Sequence, residues 1–572
     1  MSESKPRDVQ VLPIALDTTI LRSRSWNRLR FEIEYALERG TTANSFLITA
    51  DQIAIVDPPG ESFTEIYLAA LQRHVDPKQI DYVILGHVNP NRAATLKVLL
   101  ELAPQITFVC SNPGAIALRS ALPDEPLNIS IMRGTPDEML DLGKGHRLRF
   151  IPTPSPRYPD SLCTYDSKTQ ILYTDKFFGA HVCGDQVFDE GWSVLSEDRR
   201  YYYDCLMAPN ARQVTTALEK IAPFTVKFYA PGHGPLVRYG FTELTHAYQH
   251  WSQQQKAQDL SVALLYASAY GNTATIAQAI ARGITKAGVA VESINCEAAE
   301  PTEIQTALEK CNGFAIGSPT LGGHAPTQIQ TALGMILSTV PQDKLAGVFG
   351  SFGWSGEAID LLEGKLKDAG FRFGFDPIRV KFTPTDVTLK YCEEAGTDFA
   401  QALKKAKKVR EPRQPATTLE QAVGRIIGSL CIVTTKQGDV ASAMLASWVS
   451  QATFNPPGLT IAVAKERAIE SLMYPGTSFV LNILAEGKHL GLMKHFLKPF
   501  APAEDRFVDV DTDTAPNGSP ILNQASAYLE CSVSGRMECG DHWVVYATVD
   551  RGKVLDPEAK TAIHHRKTGT HY

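Results

Sequence analysis

A short apolar run, Ser261-Val-Ala-Leu-Leu-Tyr266, breaks without a polar spacer into Ala267-Ser-Ala-Tyr-Gly-Asn-Thr273, and an amphipathic stretch follows at once. A strand that feeds a Ser/Gly/Thr loop and then a helix commits the chain to strand and helix alternation, because the helix must return over the sheet before the next parallel strand. Two later apolar runs end in similar loops, Ser318-Pro-Thr-Leu-Gly-Gly-His324 and Ser351-Phe-Gly-Trp-Ser-Gly356. The expectation is a parallel, doubly wound sheet whose loops meet at the carboxyl ends of the strands. Hydroxyls and backbone N–H groups at a helix N-terminus stabilise a phosphate dianion without Arg or Lys. Trp354 is placed to stack on a flat ring. Each loop alone is an ordinary turn; three in order point to a bound mononucleotide.

One hydrophobic core cannot serve 572 residues. Upstream, Asn44-Ser-Phe-Leu-Ile48, Ile53-Ala-Ile-Val56 and Tyr82-Val-Ile-Leu85 read as buried strands, the second ending at Asp57-Pro-Pro-Gly60 and the third at Gly86-His87. A polar helix from about Thr242 to Asp259 closes this module. After residue 403 comes Lys404-Lys-Ala-Lys-Lys-Val-Arg410, then Arg413-Gln-Pro415, read as a solvated linker in preference to a docking site for an acidic partner. From Thr418 short strands spaced by turns predict a β-barrel, among them Leu430-Cys-Ile-Val-Thr-Thr435, Phe479-Val-Leu-Asn-Ile-Leu484 and Trp543-Val-Val-Tyr-Ala-Thr-Val549. The expected domains are 1–258, 259–403 and 418–572, with 404–417 as linker. A net charge of -6 gives no reason to expect nucleic acid. Neither a signal peptide at Met1-Ser-Glu-Ser-Lys-Pro-Arg7 nor a membrane span is expected, which predicts a cytoplasmic protein. Ten cysteines without a Cys-x-x-Cys pair suggest buried thiols, not a disulfide framework or an iron-sulfur site.

On these loops the middle module, residues 261 to 403, resembles flavodoxin. The resemblance implies FMN, with Ser268, Tyr270, Gly271, Asn272 and Thr273 at its phosphate. Ser318, Pro319, Thr320, Leu321, Ser351, Gly353 and Trp354, in the two later loops, complete the expected cofactor site. The last module resembles the flavin reductase-like split barrel, through Ala446-Ser-Trp-Val-Ser-Gln-Ala-Thr-Phe-Asn-Pro-Pro457, Ala464-Lys-Glu-Arg467, Gly540-Asp-His542 and His565-Arg-Lys-Thr-Gly-Thr-His-Tyr572. That implies FMN or FAD, reduced by NAD(P)H, with Ser447, Trp448 and Lys465 near the flavin and Asp541 and His542 near the site. The plainer reading of the tail is surface charge.

The first module resembles the metallo-β-lactamase fold, an αββα sandwich. Taken with its neighbours it is similar to the flavodiiron proteins of oxygenic phototrophs in which a flavin reductase domain is fused at the C-terminus. That family holds a non-heme diiron centre through seven ligands, beginning with H-x-E-x-D-H. Here the loop is His87-Val-Asn-Pro-Asn-Arg92, so Asn89 and Asn91 replace carboxylates and Arg92 replaces a histidine. Arg157 stands at the next histidine position, in Arg157-Tyr-Pro-Asp-Ser161, and Lys176 where the bridging aspartate belongs. Only His87 and His233 persist. Iron is held by imidazoles and anionic carboxylates, and a unit charge about 4 Å away is worth roughly 4 kcal/mol at an effective dielectric near 20. The expectation is therefore no diiron centre, with Asp160 or Asp175 pairing with the new cations or else an anion in the pocket. Asp175 itself is expected on the strand face opposite Lys176, and His87 and His233 are expected to be satisfied by hydrogen bonds.

The resemblance implies electron flow from NAD(P)H through flavin to reduction of O2 to water, a photoprotective role. With its ligands replaced, this chain is expected to act in a homo- or hetero-oligomer beside a related chain with an intact diiron site. A non-catalytic regulatory or anion-binding subunit is the alternative. A lactamase-like hydrolysis is not expected, because it also needs metal-activated water.

Overall fold

Nearly every residue of the strands Thr18–Ser25 and Thr41–Thr49 is buried, which requires cover on both faces of their sheet. The computed structural model describes residues 5–26, 40–410 and 417–566. They divide into two units, Met1–Gln258 with Val291–Ile304 and Asp259–Ala290 with Gln305–Tyr572.

In the first unit, seven described strands from Asp8–Ala15 to Asn128–Met132 lie in chain order in one sheet. Pairing is antiparallel up to Ile53–Val56 and parallel from there through Ile80–Ile84 and Thr107–Ser111. A second sheet runs Phe228–Pro231, Ile171–Asp175, Leu162–Asp166, His146–Pro152, Met139–Gly143. Phe46, Ile84, Phe150, Tyr173 and Phe228 fill the space between the sheets. The helices Thr64–Leu71 and Pro90–Leu102 cover the outer face of the first sheet through Leu68, Leu71, Leu96 and Leu99. On the second sheet lies Ala211–Ile221, whose Lys220 Nζ donates to Pro152 O at 2.9 Å. This is the expected αββα sandwich. The strand ends at Val56, Ile84, Asp175 and Pro231 deliver Asp57, Gly86-His87, Lys176 and His233 to one edge.

The second unit opens with the expected parallel sheet. Ser261–Tyr266, Gly313–Pro319 and Leu345–Phe352 pair in register, Tyr266 beside Gly317 and Pro319 beside Ser351, so their following loops leave at one end. Helices Asn272–Lys286 and Asp386–Arg410 cross so closely that a Cβ on Gly283 would lie 1.9 Å from Glu393 O, and one on Gly396 2.1 Å from Ile280 O. The rest is a seven-stranded antiparallel sheet, ordered Val440–Ala446, Cys431–Gln437, Ser478–Ile483, Ala527–Cys539, His542–Val554, Pro457–Ala464, Val449–Phe454. Val433, Ile461, Phe479, Leu481 and Val545 form its core.

One expectation changes here. The basic segment from Lys404, read as linker, is helical as far as Arg410, because Lys, Ala and Arg are strong helix formers whatever their charge. Residues 411–416 and the tail residues 567–572 lie outside the described residues. Of the ten cysteines eight are buried, with Cys183 half-buried and Cys539 exposed. No helix among the described residues is long and apolar enough to cross a membrane.

Candidate functional site: a pocket closed by ion pairs and two loop-end sites

At the edge of the first unit Arg92 is the central residue. The Asn89 side chain accepts the Arg92 N–H at 2.8 Å and so caps the helix Pro90–Leu102, with Pro90 at the helix's first position. Asn91 turns away to accept from Glu61 N at 2.9 Å, its side chain filling space that a Cβ on Gly60 would occupy. Asn89 and Asn91 thus both serve backbone amides. Arg92 reaches into the pocket. Its Nη1 donates to Asp57 Oδ1 at 3.0 Å and to His87 O at 2.5 Å, and its Nη2 donates to Asp175 Oδ1 at 3.1 Å.

Asp175 does not follow strand alternation. Its φ of 44° is left-handed, which turns its carboxylate into the cluster beside Lys176 instead of away from it. Room comes from two glycines, since a Cβ on Gly86 would lie 2.7 Å from Asp175 Cβ and one on Gly232 2.8 Å from Asp175 Oδ1. Asp175 pairs with a new cation as expected, but Asp160 does not. Its Oδ1 lies 2.7 Å from His87 Nδ1 and its Oδ2 accepts Val88 N at 2.7 Å. His233 Nδ1 lies 2.7 Å from Thr42 O, so both retained histidines have hydrogen-bond partners. The Tyr158 ring gathers the rest: His87 at 4.9 Å between centroids, the Lys176 ammonium at 5.5 Å and the Arg157 guanidinium at 5.7 Å.

Among the described residues, three cations, Arg92, Arg157 and Lys176, therefore share this edge with three carboxylates, Asp57, Asp160 and Asp175. Burial together with the Asp175 charge pushes the Asp57 carboxyl up to about 6, against the pull of Arg92. Burial would raise Asp175 as well, but Arg92 and Lys176 hold it down to about 2. Burial, with His181 and Lys176 alongside, keeps His233 neutral, well below the usual 6.5. Among the described residues no group of three or more His, Cys, Asp or Glu side chains is arranged to hold a metal ion. The donor set does not fit a pair of irons: the His87 and His233 imidazoles are separately engaged, and a guanidinium spans the carboxylates. Sequence reasoning missed Asp57, Tyr158 and His181. Only Asp57 carried a signal, as a lone acid at a strand end before Pro-Pro-Gly.

In the second unit the three loops stand together. Gly271, at φ 79°, starts the helix Asn272–Lys286, and Ser268 Oγ accepts Ala274 N at 3.1 Å. Thr273 is buried, its Oγ1 2.8 Å from Ser351 Oγ, so this hydroxyl ties the first loop to the third instead of lying open at the helix tip. Ser318 is buried, donating to Pro319 O at 2.8 Å. Thr320 N donates to Ser351 O, while Thr320 Oγ1 is buried without a partner. Leu321 and His324 exchange backbone hydrogen bonds around Gly322 and Gly323, whose φ values of 56° and 82° suit a tight turn. Tyr270 and Trp354 are each 86% exposed, and Phe382 props the Trp354 ring edge-on at 5.7 Å. A helix start, the unpartnered Thr320 hydroxyl and two open rings suit a phosphate-bearing planar cofactor.

The antiparallel sheet gathers a second group. Ala464 pairs with His542, and Lys465 N donates to Asp541 O at 2.9 Å. The Trp448 ring lies 5.1 Å from the His542 ring and 4.7 Å from the Arg566 guanidinium. Ser447 Oγ is buried without a partner. Lys465 Nζ pairs with Glu538. Ser447, Trp448, Lys465, Asp541 and His542 thus share one neighbourhood, joined by Arg566 of the tail that carries part of the flavin reductase resemblance.

Comparison with known proteins covers all three regions. Family models match at residues 41–234 (ODP family beta lactamase), 264–396 (Flavodoxin) and 423–570 (Flavin reductase like domain). A Nostoc sp. (strain PCC 7120) protein named diflavin flavoprotein A 6 is 73% identical over 572 residues, the whole of both chains. Diflavin flavoprotein A 1 of Synechocystis sp. (strain PCC 6803) is 45% identical over 569 residues, 99% of this chain and 98% of that one. A metal-soaked flavodiiron core from Synechocystis sp. PCC6803 is similar in structure, with a TM-score of 0.69 and 65% identity over 70% of this chain and 100% of that one.

Proposed function

The chain belongs to the diflavin flavoprotein family, flavin-binding oxidoreductases with a flavodiiron core, and on that premise we propose that it relays electrons from NAD(P)H through its flavins while its own first-unit pocket holds no iron. A bound flavin supplies the exchange between hydride and single electrons. At the first flavin site the backbone N–H groups from Gly271 to Thr273, with Ser268, would hold the phosphate of FMN, the unpartnered Thr320 Oγ1 would be a donor to it, and Tyr270 and Trp354 would cover its ring, with Ser318, Pro319, Leu321, Ser351 and Gly353 as the floor. At the second, Ser447, Trp448 and Lys465 would line FMN or FAD, with NAD(P)H as the donor.

The observation that carries the pocket reading is the Arg92 fork across Asp57 and Asp175. A guanidinium that already bridges both buried carboxylates occupies the oxygens a metal would need. Reduction of O2 to water, in protection of photosynthetic electron flow in the cytoplasm, then falls to a hetero-oligomer in which a related chain supplies intact ligands and this chain supplies reduced flavin. Oxygen uptake with NADPH separates the readings. We expect little for this chain alone and a rise well above the sum of the parts when a ligand-bearing relative is added. Uptake in neither condition assigns the chain to a non-catalytic regulatory or anion-binding role.

A further inference from the structure

Where the flavodoxin-like module meets the barrel, the chain buries charge on both sides of the contact. On the flavodoxin-like side, Arg282 donates to Glu393 at 2.6 Å, and Lys286 pairs with the same carboxylate. On the barrel side Arg536 donates to Glu470 at 3.0 Å, its guanidinium 3.7 Å from the centre of the Tyr474 ring. The two sides interlock. Lys286 Nζ lies 3.9 Å from Glu470, Arg282 donates to Tyr474 Oη at 3.1 Å, and Lys390 donates to Ala468 O and to Ser471 Oγ. Glu394 accepts from Ala503 N at 3.0 Å and from Arg506 at 3.3 Å. Arg282, Lys390, Glu393, Glu394 and Glu470 are all at most 6% exposed.

Charges this deeply buried need partners in fixed positions, since losing one leaves its partner uncompensated. Each face also carries both signs. A slip of one helical turn, about 5.4 Å, would break the Lys286 to Glu470 and Arg506 to Glu394 pairings while leaving both faces desolvated. We propose that this seam locks the barrel and the flavodoxin-like module of one chain into a single rigid body, and that the interlocked charges set its one docking register. Lys286 stands fourteen residues beyond Asn272 on the helix Asn272–Lys286, about 21 Å along its axis. The docked barrel therefore grips the far end of that helix and leaves the Tyr270 and Trp354 face open to another chain.

Hydrogen exchange on the full chain tests this without reference to flavin chemistry. Segments 386–403 and 468–472 are expected to be protected, and to stay protected in 1 M salt, because buried pairs are weakly screened. Glu394→Arg and Arg506→Glu are each expected to speed exchange in both segments roughly tenfold, with Ser261–Tyr266 and Cys431–Gln437 unchanged as folding controls. The charge-swapped double variant is expected to recover protection. Should the reversed charges prevent folding, Glu394→Gln is expected to give the same direction with a smaller change. Single variants that exchange like the wild type, or a double variant no slower than the singles, would overturn the proposal.

Discussion

At Arg92 one guanidinium fork holds two buried carboxylates that would repel each other without it. Removing it while keeping Asp57 and Asp175 leaves uncompensated charge in the interior, so Arg92→Met is expected to destabilise the first unit by about 3 to 5 kcal/mol. Adding Asp57→Asn to that variant should return part of the loss, because the two effects share a partner; denaturant unfolding followed by fluorescence measures both. Trp354 makes the opposite case, a large ring left open. Trp354→Ala is expected to weaken FMN binding roughly tenfold, about 1.4 kcal/mol, with no loss of fold, read by flavin fluorescence titration.

Among the elements, the segment before the helix Phe241–Lys256 is fixed by one acid. Asp189, fully buried, accepts from Arg199 at 2.8 Å and from the amides of Arg238, Tyr239 and Gly240. Burial alone would raise its pKa, but Arg199 and these amides hold it below the ordinary 3.8. A depressed carboxyl contributes stability that is present above pH 3.8 and is lost as pH falls through its folded value. Asp189→Asn is therefore expected to cost about 3 to 5 kcal/mol at neutral pH, with the gap to wild type narrowing in acid; urea unfolding at stepped pH measures it. The strands and the three loop ends were legible in the sequence because alternation, Gly and Ser/Thr are local signals. The pocket's ion pairs were not, because Arg92 meets Asp57 and Asp175 across 35 and 83 residues. The left-handed turn at Asp175 depends on space made by the distant Gly86 and Gly232. The helix through Lys404 was readable but misread, since its charge was weighed and its helix propensity was not.

At the scale of the whole molecule, flavodoxin-like and flavin reductase-like modules accompany a metallo-β-lactamase-like unit whose pocket edge carries Arg92, Arg157 and Lys176. Their contacts are mutually consistent: Asn89 and Asn91 accept from backbone amides, Arg92 binds carboxylates, and Tyr158 lies beside the other two cations. On the proposed reading such a unit keeps its fold without metal while the flavin modules of the chain deliver electrons to a partner. Iron content per chain tests this most directly, measured by elemental analysis on protein expressed and purified with iron in excess. The account predicts far less than one iron per chain with flavin retained, whereas a pair of irons per chain that survives desalting would contradict it.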